Sequence, residues 1–87
     1  MYIGKVIGTV VATKKDNRLI GSKLMIIQPL NIELLPIEEP IIAVDTVGAG
    51  IGELVIIVKG TAARIAAQKM ESPIDISIVG LVDEINI

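Results

Sequence analysis

With 87 residues the chain has room for one domain, yet 52% of it is hydrophobic and a further eight residues are Gly, more apolar surface than one small subunit can bury. It contains no His, Cys, Trp or Phe, which removes zinc and iron–sulfur sites, Ser-His-Asp and Cys-His nucleophile systems, and disulfides. A net charge of −2 speaks against a nucleic-acid surface, and the longest apolar run, residues 54–58, is far short of the ~20 residues of a membrane span.

The expected protein is therefore soluble, cytosolic and self-associating. Ile (18) and Val (9) dominate the composition, and β-branched side chains favour strands. A first strand is predicted over residues 2–13. One face (Tyr2, Gly4, Val6, Gly8, Val10, Ala12) is small and apolar, as the inside of a narrow barrel requires. Lys14, Lys15, Asp16, Asn17 and Arg18 form a polar connection that Gly21-Ser22 closes. A second strand spans residues 23–28 and stops at Pro29, which cannot donate into a ladder. A linker with Pro36, Pro40, Glu38 and Glu39 leads to a third strand over residues 41–46, followed by a glycine-dense turn at residues 48–52.

The fourth strand, residues 53–59, is apolar on both faces, so the barrel buries one and a neighbouring subunit is expected to cover the other. Thr61 is the predicted N-cap of a short helix over residues 62–69, which Ser72-Pro73 ends. Residues 75–82 alternate as a fifth strand, with 83–87 as a tail. The whole reads as one all-β domain over residues 1–87, a small five-stranded OB-like barrel with one short helix.

No site chemistry emerges from the candidate residues. Gly48, Gly50 and Gly52 resemble a phosphate loop, but a dinucleotide fingerprint needs Gly where Glu53 stands and a helix where a strand follows. A turn requiring positive φ and close backbone approach explains them better. Asp45 and Asp75 sit at strand ends, where carboxylates accept backbone N–H groups. Arg64 suits either an anion at a pore or a carboxylate across an interface. Without aromatic platforms beyond Tyr2, oligonucleotide stacking is weak. Residues 1–23 carry a net +4 and residues 33–53 a net −5, so identical copies in a ring could meet through complementary patches.

The order of motifs resembles the pentameric vertex proteins of bacterial microcompartment shells, of carboxysome, ethanolamine- and propanediol-utilising type. The resemblance spans nearly the whole chain. It is carried by residues 6–15 (VIGTVVATKK), residues 19–24 (LIGSKL), the central block 43–55 (AVDTVGAGIGELV), residues 60–64 (GTAAR), Pro73-Ile74-Asp75 and residues 78–83 (IVGLVD). It departs from the family at Thr61-Ala62-Ala63, where serines are commoner, and in a short tail after Asp83. The resemblance implies a structural protein without catalytic residues, cofactor or metal. It implies a homopentamer in the microcompartment shell of the cytoplasm, partnered by hexameric shell proteins and not by nucleic acid or membrane. The expected contact or pore residues are Asp45, Gly48, Ala49, Gly50, Gly52, Glu53, Thr61, Ala62, Ala63 and Arg64. The competing expectation is a small OB-like binding module or an accessory subunit of an enzyme complex.

Overall fold

The computed structural model describes residues 1–13 and 15–87; Lys14, assigned above to the first connection, lies outside them. Five strands close into a barrel in the order β1-β2-β3-β5-β4. They are β1 (Tyr2–Val10), β2 (Lys23–Leu30), β3 (Ile41–Asp45), β4 (Leu54–Lys59) and β5 (Ile76–Leu81), with a 3₁₀ turn at Asn17–Leu19 and α1 at Thr61–Ala66. All neighbours are antiparallel except β3 and β5, which run parallel.

The inward residues Val6, Met25, Ile27, Ala43, Val55, Ile57 and Ile78 fill the barrel, with Ile41 and Ile76 packed against them. Gly4 is required here because a Cβ at that position would collide with Ile27 Cγ2. The predicted alternation of β1 holds through Gly4 and Val6, both buried. It persists in half-buried Gly8 and Val10 between exposed Ile7 and Thr9, although the register with β2 shifts between Val6 and Gly8 and leaves Gly8 opposite Ile26. Such an irregularity bends and twists the strand locally, and the strand ends at Val10 rather than residue 13, with Val11 exposed.

Pro29 does not stop β2, which continues to Leu30. The last β2–β3 pair is Ile27↔Ile41, so at Pro29 one flank is already an edge, where a missing donor costs no ladder bond. The helix is shorter than predicted and is capped by Gly60 at φ 64°, not by Thr61. It stops because Gln68 turns left-handed (φ 57°). The Lys69 N–H then reaches the Arg64 carbonyl (3.0 Å) and the Gln68 N–H the Ile65 carbonyl (3.0 Å), the paired bonds of a Schellman close.

Strand β4 turns Val55 and Ile57 into the barrel, while on its outer face Leu54 and Ile56 are half-buried and Val58 is buried, covered there by the same chain. Val58 packs with Val44, Ala63 and Ile74 beneath α1. On β5, Ile76 and Ile78 face the barrel while Ser77 turns toward the helix and donates to the Ala63 carbonyl at 2.8 Å. Among the described residues no helix is long and apolar enough to cross a membrane.

Candidate assembly surface

The turn after β3 is organised by one carboxylate. Asp45 Oδ1 accepts the N–H groups of Val47 (3.0 Å) and Gly48 (3.1 Å), and Oδ2 accepts that of Ala49 (2.8 Å). Its side chain is only 2% exposed, with Lys23 Nζ 3.8 Å away. The same ammonium donates to the Ala49 carbonyl at 3.2 Å. This is the strand-end anchor expected of Asp45. At Asp75 the bond comes from the main chain instead, its carbonyl accepting from the Gly60 N–H at 2.7 Å.

The turn continues as a second closed loop. Glu53 Oε1 accepts the Gly50 N–H at 2.7 Å, and the Glu53 N–H returns to the Gly50 carbonyl at 3.2 Å. Gly48 (φ 79°) and Gly52 (φ 91°) occupy the left-handed region, which explains two of the glycines by backbone conformation. Neither has an atom of its own subunit within 4 Å of where a Cβ would stand, so within the subunit no close approach demands them. Gly52 N–H and the Glu53 carbonyl clasp Val6 at 2.8 and 3.0 Å, tying the turn to β1. Ala49 is buried in the barrel core, where it plugs the mouth.

The second group of candidates gathers at the start of α1. Arg64 Nη1 donates to the Ile74 carbonyl (3.2 Å) and Nη2 to Thr61 Oγ1 (3.0 Å), so the guanidinium is engaged by its own chain. Thr61 and Ala62 are exposed, whereas Ala63 is fully buried. The two groups lie at opposite ends of β4, about 20 Å apart for six residues of strand, and do not form one site. Among the described residues no cluster of three or more carboxylates could hold a metal ion, and no buried side-chain N or O lacks a partner.

A further surface was read in the sequence only as a linker. Residues 31–40 form a tightly bonded loop around Asn31. Its Oδ1 accepts the N–H groups of Glu33 (2.9 Å) and Leu35 (3.0 Å), and its own N–H bonds the Leu35 carbonyl at 2.9 Å. Gln28 Nε2 ties the far end by donating to the Glu38 carbonyl at 2.8 Å. Leu34 is held at φ 65°, which costs a non-glycine residue about 1–2 kcal/mol. The loop leaves Ile32, Leu34, Leu35 and Ile37 exposed. Four large aliphatics in ten residues without strand alternation was the signal available in the sequence.

Opposite charges fasten the other large connection. Arg18 and Asp16 pair at 2.6 Å, and Arg18 Nη1 donates to the Glu71 carbonyl at 2.7 Å. The hydrogen bond from the Arg18 side chain, followed by that from its backbone N–H, holds the Asp16 carboxyl far below the usual carboxylate range. Lys69 Nζ completes the clip by donating to Ser22 Oγ (2.8 Å) and the Arg18 carbonyl (3.1 Å).

Comparison with known proteins places this barrel among proteins of microcompartment shells. Residues 1–83 match the family described as "Ethanolamine utilisation protein EutN/carboxysome". The chain is 48% identical over 85 residues to the bacterial microcompartment shell vertex protein GrpN of Rhodospirillum rubrum, covering 98% of this chain and 96% of that one. It is 40% identical over 87 residues to the carboxysome shell vertex protein CcmL of Synechocystis, covering 100% and 87%. The solved structure of GrpN, described as a pentameric microcompartment shell protein, superposes with a TM-score of 0.90 at 46% identity, covering 100% and 99%. These relatives are structural shell proteins and not enzymes, and this chain belongs to their family, the EutN/CcmL family of bacterial microcompartment shell vertex proteins.

Proposed function

We propose that five copies of this chain close into a ring that occupies the five-fold vertices of a microcompartment shell, beside hexameric shell proteins that tile the facets. A flat hexagonal sheet cannot enclose a volume, so curvature must be concentrated at five-fold positions. The observation that carries the reading is the apolar surface one subunit leaves uncovered, including Ile7, Leu35, Ile42 and Ile51. The isolated subunit exposes 5442 Å², where a compact monomer of this mass exposes about 4,900 Å². Burying such residues between identical copies is the most economical way to remove them from water.

Within that ring, the exposed members of the two turns (Gly48, Gly52 and Glu53; Thr61 and Ala62), with half-buried Gly50, are the candidates for subunit contacts or the central opening. Ala49 and Ala63 act inside the subunit. Native mass spectrometry tests the ring: a dominant five-subunit species supports it and a stable single subunit refutes it. Co-expression with hexameric shell proteins tests the vertex role. Closed shells are expected with this chain and open or elongated ones without it, and shells that close equally well in its absence would refute it.

A further inference from the structure

Opened between β3 and β5, the circle of strands reads β3-β2-β1-β4-β5, and every remaining pair of neighbours is antiparallel. The subunit is an antiparallel sheet closed by one parallel join. That join is two residue pairs wide, Val44↔Ser77 and Asp45↔Ile78, and parallel pairing is slightly the weaker kind. Thr46 Oγ1 adds one bond across it by donating to the Ile78 carbonyl. Packing at the join is loose as well. Two hollows of about 340 and 170 Å³ open there, and Val44 borders both.

The join is bridged on the outside by a strap in two halves. Residues 15–22 lead into β2 and residues 67–75 into β5, and β3 lies between those two strands. The halves are fastened to each other across β3. Lys69 Nζ donates to Ser22 Oγ and to the Arg18 and Ile20 carbonyls at 2.8, 3.1 and 3.4 Å, and Arg18 Nη1 donates in return to the Glu71 carbonyl at 2.7 Å. Each of these bonds ties the β2 side to the β5 side. Beneath them Leu19, Leu24, Ala66 and Ala67 pack against the cluster that holds Val44 and Ile74, so the strap also roofs the smaller of the two apolar clusters.

We infer that this strap is a latch: the β3–β5 join parts locally while the four antiparallel ladders stay paired, and Lys69 and Arg18 set how often it does so. Parting the join breaks two residue pairs and one side-chain bond, whereas parting any other neighbours breaks four pairs or more. Local openings of this kind lie at the low end of the unfolding free energies within one folded domain. The latch belongs to a single subunit and acts whatever the number of copies that assemble.

The chain has no native cysteine, so one introduced thiol reports the opening of its own position. Val44 is 7% exposed at the join, and Val6 is fully buried on β1, which pairs with neither β3 nor β5. V44C therefore reports the join and V6C the barrel as a whole. With a chromogenic aromatic disulfide under native conditions, adding K69M is expected to speed the reaction of V44C at least tenfold, because three bonds to an ammonium are lost, and to leave that of V6C unchanged. R18L, at an exposed position, should act in the same direction. Hydrogen exchange of the cysteine-free chain gives a second reading: K69M should speed exchange in residues 41–46 and 74–79 and leave residues 2–5 and 54–57 as they were. If K69M accelerates both thiols alike, the strap supports the whole barrel and the join has no opening of its own. If neither K69M nor R18L alters the reaction of V44C, the strap fastens nothing. Either result overturns the inference, and should K69M fail to fold by circular dichroism, R18L decides between the same outcomes.

Discussion

Asp45 does the work of several residues because three backbone N–H groups converge on one nearly buried carboxylate. Removing it leaves the N–H of buried Ala49 without its acceptor and ends two charge-assisted bonds to the exposed Val47 and Gly48 amides, each loss of the order of 1 kcal/mol. Asp45→Ala should therefore lower subunit stability by about 2–3 kcal/mol in urea denaturation. Asp45→Asn should cost less, since its Oδ1 still serves Val47 and Gly48 while its amide opposes the Ala49 N–H. Equal losses for the two variants would contradict this account of the turn. Asp16 acts at the surface in the opposite pH sense to a buried acid. Its folded pKa is depressed by Arg18, so its contribution is fully present above the unfolded value near 4 and fades as pH falls below it. Asp16→Asn should remove that small contribution at neutral pH and flatten the acid limb of the stability–pH curve, so that variant and unaltered chain converge below about pH 4. An unaltered acid limb would show that the clip is idle.

At the scale of elements, the loop of residues 31–40 trades local comfort for display. Leu34 sits at φ 65°, where glycine fits without strain, so Leu34→Gly should leave the subunit's thermal midpoint unchanged or raise it. A loss of more than about 1 kcal/mol in the isolated subunit would mean that the leucine is part of the fold and not of a contact. The strands were legible because β-branched runs and glycine turns leave strong period-two and breaker signals, as β3, β4 and β5 show. What misled was local chemistry overridden by position. Pro29 is tolerated because β3 has already ended beside it, and Gly60 rather than Thr61 caps α1. The Asp45 anchor was readable from a carboxylate preceding a glycine turn. The exposed loop was not, because only tertiary structure reveals that its four aliphatics find no core.

At the scale of the whole molecule, the closed barrel is the body on which the turns and loops are mounted. The glycine turn at the barrel mouth offers an independent probe of ring strength. A Cβ at Gly50 would stand 3.1 Å from Glu53 Oε1, close enough to push the carboxylate off the Gly50 N–H. Gly50→Val should therefore loosen the turn and shift the native mass distribution toward smaller species on dilution. An unchanged distribution would exclude that turn from the contacts. The narrow join between β3 and β5, two residue pairs wide, has one more consequence. A solitary copy carries a weak hem, the place where a stray strand from another chain could stitch itself in and start an insoluble deposit. Whatever covers that hem removes the template for such stitching, so a substitution that widens the gap between β3 and β5 should raise the tendency of the isolated subunit to precipitate, as light scattering on standing would show.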